Sequence, residues 1–138
     1  YYTMMERVAQ ISLGALFEKK LSIIIFPEGT RSATLSEGRS GVAQLALNSE
    51  KAVIPVGCNG SEAVYPGSSP IAKSGTITYR IGQPMTVEDQ LKAYRIKEKF
   101  KLFSKESQQR YKNKFDAATG AIMKNINLLI DDRYRCSV

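Results

Sequence analysis

Two short apolar segments on either side of a helical pattern constrain the fold of this chain most strongly. Residues 21–26 are apolar on both faces, which is typical of a strand covered on each side, and residues 52–57 form a second apolar strand pattern. Between them, residues 39–49 place one set of side chains at helical spacing: Val42, Leu45, Ala46 and Ser49. A strand, a helix and a strand within about 35 residues predict a βαβ unit with parallel strands and a right-handed crossover.

The segments before and after this unit also carry regular patterns. Residues 3–18 are predicted to be helical, and the alternating residues 76–82 to form a third strand, half exposed or at a sheet edge. After Pro84 the pattern is helical, with an apolar stripe over residues 96–129. Because acidic residues are unfavourable at a helix C-terminus, Asp131-Asp132 predicts that the last helix ends near Ile130.

Together these elements predict one incomplete α/β domain. Its fold class is α/β, with a central, mostly parallel sheet flanked by helices. Residues 1–138 form a single unit, in which residues 1–85 hold the βαβ unit and the third strand and residues 86–138 hold the C-terminal helices. Since the chain starts at Tyr1 and not at methionine, we expect it to be part of a longer protein.

The chain contains no histidine, which excludes several kinds of site within it. These are a Ser-His-Asp or Cys-His arrangement, a histidine general base and a histidine metal ligand. Cys58 and Cys136 form no CxxC motif, and two unpaired thiols in a reducing compartment are favoured over a disulfide. No apolar run approaches the roughly 18 residues of a membrane-spanning helix, and nothing resembles a signal peptide.

A group of polar residues follows the first predicted strand, the place where ligands bind in an open α/β sheet. Residues 26–32 read Phe-Pro-Glu-Gly-Thr-Arg-Ser. Gly29 permits a close backbone approach, Arg31 offers a planar fork of donors suited to phosphate, and Glu28 can accept from a hydroxyl or hold Arg31. Neutral donors come from Thr30 and Ser32. The group predicts a site for a phosphorylated, hydroxyl-bearing ligand; the alternative is a simple turn in which Arg31 makes a surface ion pair.

Taken as a string, residues 26–32 look like the third signature block of the 1-acylglycerol-3-phosphate acyltransferase family, the PlsC-like glycerophospholipid acyltransferases. Residues 53–57 (Val-Ile-Pro-Val-Gly), followed by residues 59–62 (Asn-Gly-Ser-Glu), are similar to the fourth block. Residues 76–84 resemble the next strand of the family, and residues 128–135 its closing helix and Tyr-Arg tail. The resemblance covers nearly the whole chain, as the C-terminal part of such a domain.

The resemblance implies an acyltransferase of phospholipid biosynthesis. It moves a fatty acyl group from acyl-CoA or acyl carrier protein to lysophosphatidic acid or a related glycerol-phosphate hydroxyl. Glu28, Gly29 and Arg31 match the acceptor-binding block, with Arg31 on the phosphate, and Pro55 matches a proline whose role lies near the acyl donor. The predicted substrate-binding residues are Glu28, Gly29, Thr30, Arg31, Ser32 and Arg39.

The resemblance also implies what accompanies this site. No cofactor or metal is expected beyond the acyl-thioester cosubstrate. The expected partners are a lysophospholipid acceptor, an acyl-CoA or acyl carrier protein donor and a membrane surface, with no nucleic acid. The implied location is the cytoplasmic face of a membrane, reached peripherally or through an anchor in an N-terminal segment.

The chain departs from the family pattern in three ways. The family's His-x4-Asp block, whose general-base help is worth about 10² to 10⁴ in rate, is absent, and so is the second block, which brings another arginine. We expect both to lie upstream of residue 1, so that this chain alone is inactive. An aromatic-Lys-Lys-Gly pattern is replaced by Gly-Arg-Ser-Gly at residues 38–41, where Arg39 keeps one positive charge.

The positive charge of the chain lies in residues 92–114, here called the basic segment. Its nine basic and two acidic residues give a net charge of +7, which equals that of the whole chain. Phe100, Phe103 and Tyr111 recur there at helical spacing. They indicate either a helix lying on an anionic bilayer or an ordinary amphipathic helix packed on the sheet, which is favoured. Nucleic-acid binding is not supported, because no binding motif accompanies the charge.

Two other function classes compete with the acyltransferase hypothesis. One is a non-catalytic phospholipid- or phosphate-binding module at a membrane surface, which predicts binding through Arg31 and no catalytic histidine in the longer protein. The other is a basic interaction domain, whose affinity follows the basic segment, falls with salt and ignores Arg31.

Overall fold

The structure is a computed structural model that describes residues 2–67 and 69–136. Residue 1, residue 68 and residues 137–138, which fall within the predicted domain, lie outside the described residues. The helices and strands follow in this order: α1 (Tyr2–Leu13), α2 (Gly41–Ser49), β1 (Val56–Asn59), α3 (Ser61–Val64), β2 (Thr78–Ile81), α4 (Lys105–Arg110) and α5 (Lys112–Leu129). A π-helical turn (Gly14–Glu18) extends α1, and two 3-10 turns occupy Lys92–Tyr94 and Asp132–Tyr134.

The sheet of the described residues is a two-stranded antiparallel ribbon. β1 pairs with β2, with Val56 opposite Ile81 and Cys58 opposite Tyr79. A bridge between Val53 and Met85 extends the pairing. The predicted third strand therefore forms within residues 76–82 and the second forms slightly later than predicted. The expected central parallel sheet is not found in the described part of the chain, because the two strands run in opposite directions.

The first predicted strand, residues 21–26, has no regular secondary structure. Ile24 and Phe26 are 84% and 82% exposed, whereas Ile23 packs on the cluster of Ala9, Leu45 and Leu102, so the segment is not covered on both faces. A strand needs a neighbour to satisfy its backbone N–H and C=O groups, and no strand of the described residues lies beside this segment. The βαβ prediction was therefore wrong for the described residues. An apolar pattern indicates that a segment would suit a buried strand, but it does not show that a second strand lies beside it.

The main core lies between α2 and α5. Helix α2 is buried almost all round, and the predicted stripe on α5 is buried through Phe115, Ala118 and Ile122. These side chains enclose Met85 and Leu91 from the segment after β2. The two predicted parts of the domain, residues 1–85 and 86–138, thus contribute to one core.

The region after β2 differs from the predicted run of helices. Residues 86–104 contain only the short 3-10 turn, yet Val87, Leu91, Ile96 and Leu102 are buried. These four side chains anchor an irregular segment that covers the core. The predicted end of the last helix is confirmed, since α5 ends at Leu129.

A second, smaller core fixes the N-terminal helix. Ala9 of α1 packs with Leu45 of α2 and Leu102, and Leu13, Leu16 and Ile23 pack around them. The prediction of a helix over residues 3–18 is confirmed by α1 and its π-helical turn. In the described part of the chain, no helix has the length and apolar character needed to cross a bilayer.

Candidate acceptor-binding site

The motif loop, defined as residues 26–39, begins with a tight turn at the predicted glycine. Gly29 has a φ of 73° and donates its N–H to the carbonyl of Phe26 at 3.1 Å. This φ lies in the left-handed region, which glycine occupies without the steric penalty of a Cβ. The glycine of the motif thus lets the chain reverse directly after the apolar segment.

Glu28 holds the motif loop together from inside. Its Oε2 accepts the Ser32 hydroxyl, the Ser36 backbone N–H and the Ser36 hydroxyl, each at 2.8 Å. Of the two roles predicted for Glu28, the structure shows acceptance from hydroxyls, supplied by the chain itself. Ser32 also donates to the carbonyl of Thr34, so its hydroxyl is engaged within the loop.

Arg31 reaches out of the motif loop to the segment after α3. Its guanidinium donates to the carbonyl of Tyr65 and, at 3.3 Å, to the carbonyl of Gly67. No carboxylate of the described residues pairs with it, so the alternative of a turn with a surface ion pair is not what the structure shows. The two bonds leave the other N–H donors of the guanidinium for a ligand.

Arg39 returns to the turn that contains Gly29. Its backbone N–H donates to the carbonyl of Pro27 at 2.7 Å. A Cβ added to Gly29 would lie 3.7 Å from both Cγ and Nε of Arg39, so the arginine stem lies against the glycine. The structure therefore brings Gly29 and Arg39 together in an exposed loop, beside an exposed Thr30.

Pro55 has a visible structural position at the base of the β1–β2 ribbon. It is buried, and its carbonyl accepts the N–H of Gly82 at 2.9 Å. A Cβ on Gly82 would lie 2.9 Å from Cγ of Pro55, so the two residues pack closely.

Two residues that the sequence analysis quoted only within motif blocks, Tyr134 and Asn59, form hydrogen bonds behind the motif loop. Tyr134 accepts the N–H of Leu35 at 2.8 Å with its carbonyl, and its hydroxyl accepts the N–H of Gly60 at 3.2 Å. Asn59, 2% exposed, donates to the carbonyl of Leu129 at 3.2 Å and accepts the N–H of Asp131 at 2.6 Å. The sequence signal for Asn59 was a polar residue at an inward position; nothing in the sequence marked Ser36.

The basic segment is packed differently from the motif loop. Phe100 lies 5.7 Å from Tyr111 and 5.5 Å from Phe115 between ring centroids, and Phe103 packs on the smaller core. The aromatic side chains face the protein interior, which favours the packing alternative over insertion into a bilayer. The hydrogen bond to Glu98 raises the pKa of the Tyr111 hydroxyl.

The chemistry available at the site is limited by residue type. The chain has no histidine, and the described residues contain no group of side chains suited to hold a metal ion. Cys58 is exposed, and no disulfide links it to Cys136. What the motif loop offers is two arginines, a hydroxyl and backbone groups on an open surface, an arrangement that can bind an anion.

Comparison with known proteins finds similarity to the family that the sequence motifs resemble. Residues 2–59 match the family model described as Acyltransferase. These residues include the whole motif loop, so the part of the chain that carries the loop is similar to acyltransferases.

A relative narrows the class further. A 1-acyl-sn-glycerol-3-phosphate acyltransferase from Cocos nucifera is 32% identical over 77 residues, which are 54% of this chain and 25% of that protein. The two findings support the PlsC-like acyltransferase family, and the prediction made from the motifs is confirmed. The matched part spans about a quarter of the relative's length. No solved structure matches the chain.

Proposed function

We propose that the protein to which this chain belongs transfers a fatty acyl group from acyl-CoA or acyl carrier protein to lysophosphatidic acid or a related glycerol-phosphate hydroxyl. The observation that carries the proposal is the motif loop within the family match, with Arg31 and Arg39 on an exposed turn. The curated relative supports the choice of acceptor through its name. The catalytic histidine and aspartate are supplied by a segment outside this chain.

In this proposal the motif loop binds the acceptor phosphate. Arg31 and Arg39 provide charge-assisted donors, and the Thr30 hydroxyl provides a neutral one. Glu28 and Ser32 act by keeping the loop in shape, because their polar atoms are engaged with each other and with Ser36. Pro55 lies at the base of the ribbon and keeps its proposed donor-side or structural role.

The proposed reaction is a simple acyl transfer. The acceptor hydroxyl loses its proton to the base and its oxygen attacks the thioester carbonyl carbon. The new O–C bond forms, the C–S bond breaks, and the thiol leaves with the proton. Holding the acceptor by its phosphate turns the attack into an intramolecular step, which is the part this chain contributes.

The same proposal includes the surroundings of the site. No cofactor or metal is needed beyond the acyl-thioester cosubstrate. The acceptor and product are lipids, so the protein acts at a membrane surface, on the cytoplasmic face, as a peripheral protein or through an anchor outside this chain. No nucleic-acid partner is proposed.

The test is free-thiol release from acyl-CoA with lysophosphatidic acid as acceptor. It compares this chain, the chain joined to its native upstream segment, and the joined protein carrying Arg31→Ala. We expect turnover only in the joined proteins, with Arg31→Ala raising the KM for the acceptor by about tenfold or more. Arg7→Ala, which removes an exposed arginine from α1, is the matched control and should leave the KM unchanged.

Because Arg31 also holds the carbonyls of Tyr65 and Gly67, a second readout separates binding from folding. Thermal unfolding of each variant shows whether the loop change spreads to the core. A folded joined protein that turns over no common donor or acceptor would reject the enzyme proposal. Retained phosphate binding through Arg31 in that case would identify a non-catalytic phospholipid-binding module.

A further inference from the structure

A second charged site lies on the basic segment, away from the motif loop. A cavity of about 300 Å³ opens where residues 95–98 meet the end of α4 and the start of α5. Its lining carries the basic side chains Arg95, Lys97, Arg110 and Lys114 and one carboxylate, Glu98. The side chains that line the cavity therefore include more basic than acidic groups.

Two of the four basic side chains are already neutralised by carboxylates. Arg95 pairs with Glu50 at 2.9 Å and with Glu88 at 2.7 Å. Arg110 pairs with Glu98 at 2.7 Å, which also accepts the Tyr111 hydroxyl at 2.9 Å. These contacts set three carboxylates against two arginines, so that with Lys97 and Lys114 the local net charge is +1.

The two lysines have no carboxylate partner in the described part of the chain. Lys114 donates to a neutral group, the carbonyl of Arg95, at 3.0 Å. Lys97 makes no hydrogen bond or ion pair with the residues that the structure describes. Two uncompensated ammonium groups face one cavity, and a phosphate monoester carries about −1.5 to −2 charges at neutral pH. The charge of the ammonium groups and that of a phosphate monoester are therefore opposite in sign.

The cavity and the motif loop are separate sites joined by one helix. Lys114 stands near the start of α5, whereas Met123 lies under Gly38 of the motif loop. Nine residues of helix separate Lys114 from Met123, which is about 13 Å along the axis. A ligand in the cavity is not the phosphate that the motif loop is proposed to hold.

We propose that the cavity lined by Lys97 and Lys114 binds a phosphate monoester group. Two sources carry this chemistry: the head group of an anionic lipid, or a soluble nucleotide such as coenzyme A with its phosphate ester. The proposal is independent of the acyl-transfer proposal, because it rests on different residues and is measured by binding.

The first experiment titrates the chain with inorganic phosphate and follows backbone amide NMR signals. We expect one set of saturable shifts at residues 97–98 and 110–114, separate from the set at residues 26–39 that phosphate binding by the motif loop should give. The double variant Lys97→Gln/Lys114→Gln should bind about tenfold more weakly at this site, because it removes both ammonium groups that lack a carboxylate partner in the described part of the chain. Higher salt should weaken binding as well, because the groups are exposed.

The matched control is Lys124→Gln, which removes an exposed lysine of α5 outside the cavity. It should bind phosphate as the unchanged chain does. An equal loss in the control and the double variant, or shifts spread over all lysines, would overturn the proposal in favour of diffuse charge. Unchanged amide spectra elsewhere in the double variant show that it is folded.

Two further titrations identify the source of the phosphate. One uses coenzyme A and coenzyme A lacking its phosphate ester; the other uses phosphatidylcholine vesicles with phosphatidic acid or with the same fraction of phosphatidylserine. Stronger binding to intact coenzyme A assigns a nucleotide, and preference for phosphatidic acid assigns a lipid head group. Failure of Lys97→Gln/Lys114→Gln to weaken either one would contradict the proposed site.

Discussion

The motif loop and the basic segment are both exposed and charged, yet they are held in place by different forces. The motif loop is fastened by hydrogen bonds from Glu28, Arg31 and Tyr134, and few of its side chains are buried. The basic segment is held by Phe100 and Tyr111, whose rings pack at tilted and edge-on angles against Phe115 of α5. Hydrogen bonds orient the groups of a loop without burying much surface, whereas packing of aromatic rings buries apolar surface and stabilises the fold.

The two regions also differ in how clearly their sequences indicate a role. Polar residues that have no packing role stand out in a sequence, as those of residues 26–32 do. Aromatic residues among lysines are ambiguous, because the same spacing serves a core or a membrane. Here the core takes Phe100 and Tyr111, and the lysines remain at the surface.

The largest expected effect compares the loss of Phe115, on which the basic segment packs, with the loss of a phenylalanine in the motif loop. Phe115 is 1% exposed and contacts two aromatic rings, so Phe115→Ala should lower the free energy of unfolding by about 3 to 5 kcal/mol. Phe26, 82% exposed in the motif loop, is the control. Phe26→Ala should change the free energy of unfolding by less than about 0.5 kcal/mol. Urea unfolding measures both, and equal losses would remove the proposed distinction.

The next effect tests the contact that joins the ribbon to α5. A Cβ on Gly57 would lie 2.5 Å from the carbonyl oxygen of Leu129, so Gly57→Ala should cost about 2 kcal/mol in unfolding free energy. The control is Gly120→Ala in α5, where a Cβ meets nothing within 4 Å. Because alanine favours a helix over glycine, this variant should raise the free energy of unfolding by about 0.5 to 1 kcal/mol. Stabilisation by both variants would show that the ribbon does not pack closely on α5.

A smaller effect concerns the internal bonds of the motif loop. Glu28→Gln weakens an acceptor that holds Ser36 twice, so exchange of the Ser36 amide should become about five- to tenfold faster. The free energy of global unfolding should change little, because the loop is local. Glu37→Gln, a neighbouring exposed carboxylate, is the control for charge. Slow exchange at residue 36 in Glu28→Gln would mean that another group holds the loop.

The smallest effect is a pH dependence in the basic segment. The bond to Glu98 raises the pKa of Tyr111, so the folded state favours the protonated hydroxyl. Its contribution to stability is present below the ordinary tyrosine pKa of about 10 and is lost as the pH rises through the raised value. Ultraviolet titration of tyrosinate should therefore show one late component that disappears in Tyr111→Phe. The same titration curve in both proteins would contradict the assignment.

A large part of the local structure follows from the sequence. The helix predicted over residues 39–49 is found as α2, and a helix that ends near Ile130 was expected from the apolar stripe and from Asp131-Asp132. The turn at Gly29 followed from the conformational freedom of glycine. The acyltransferase family followed from residues 26–32, and that prediction is confirmed by the family match.

The tertiary partners were not predictable in the same way. The apolar pattern of residues 21–26 suited a buried strand, but pairing requires a neighbouring strand that the described residues do not supply. The direction of the β1–β2 pair and the irregular cover over residues 86–104 depend on contacts between segments far apart in sequence.

What the sequence by itself determined is therefore local: the helical segments, the glycine turn and the set of polar groups in the motif loop. Only the tertiary structure decided that Arg31 reaches the carbonyls of Tyr65 and Gly67, and that Lys97 and Lys114 face one cavity. Local preferences arise from neighbours along the chain, whereas these contacts arise from packing of distant segments, for which a single sequence carries no pairing signal.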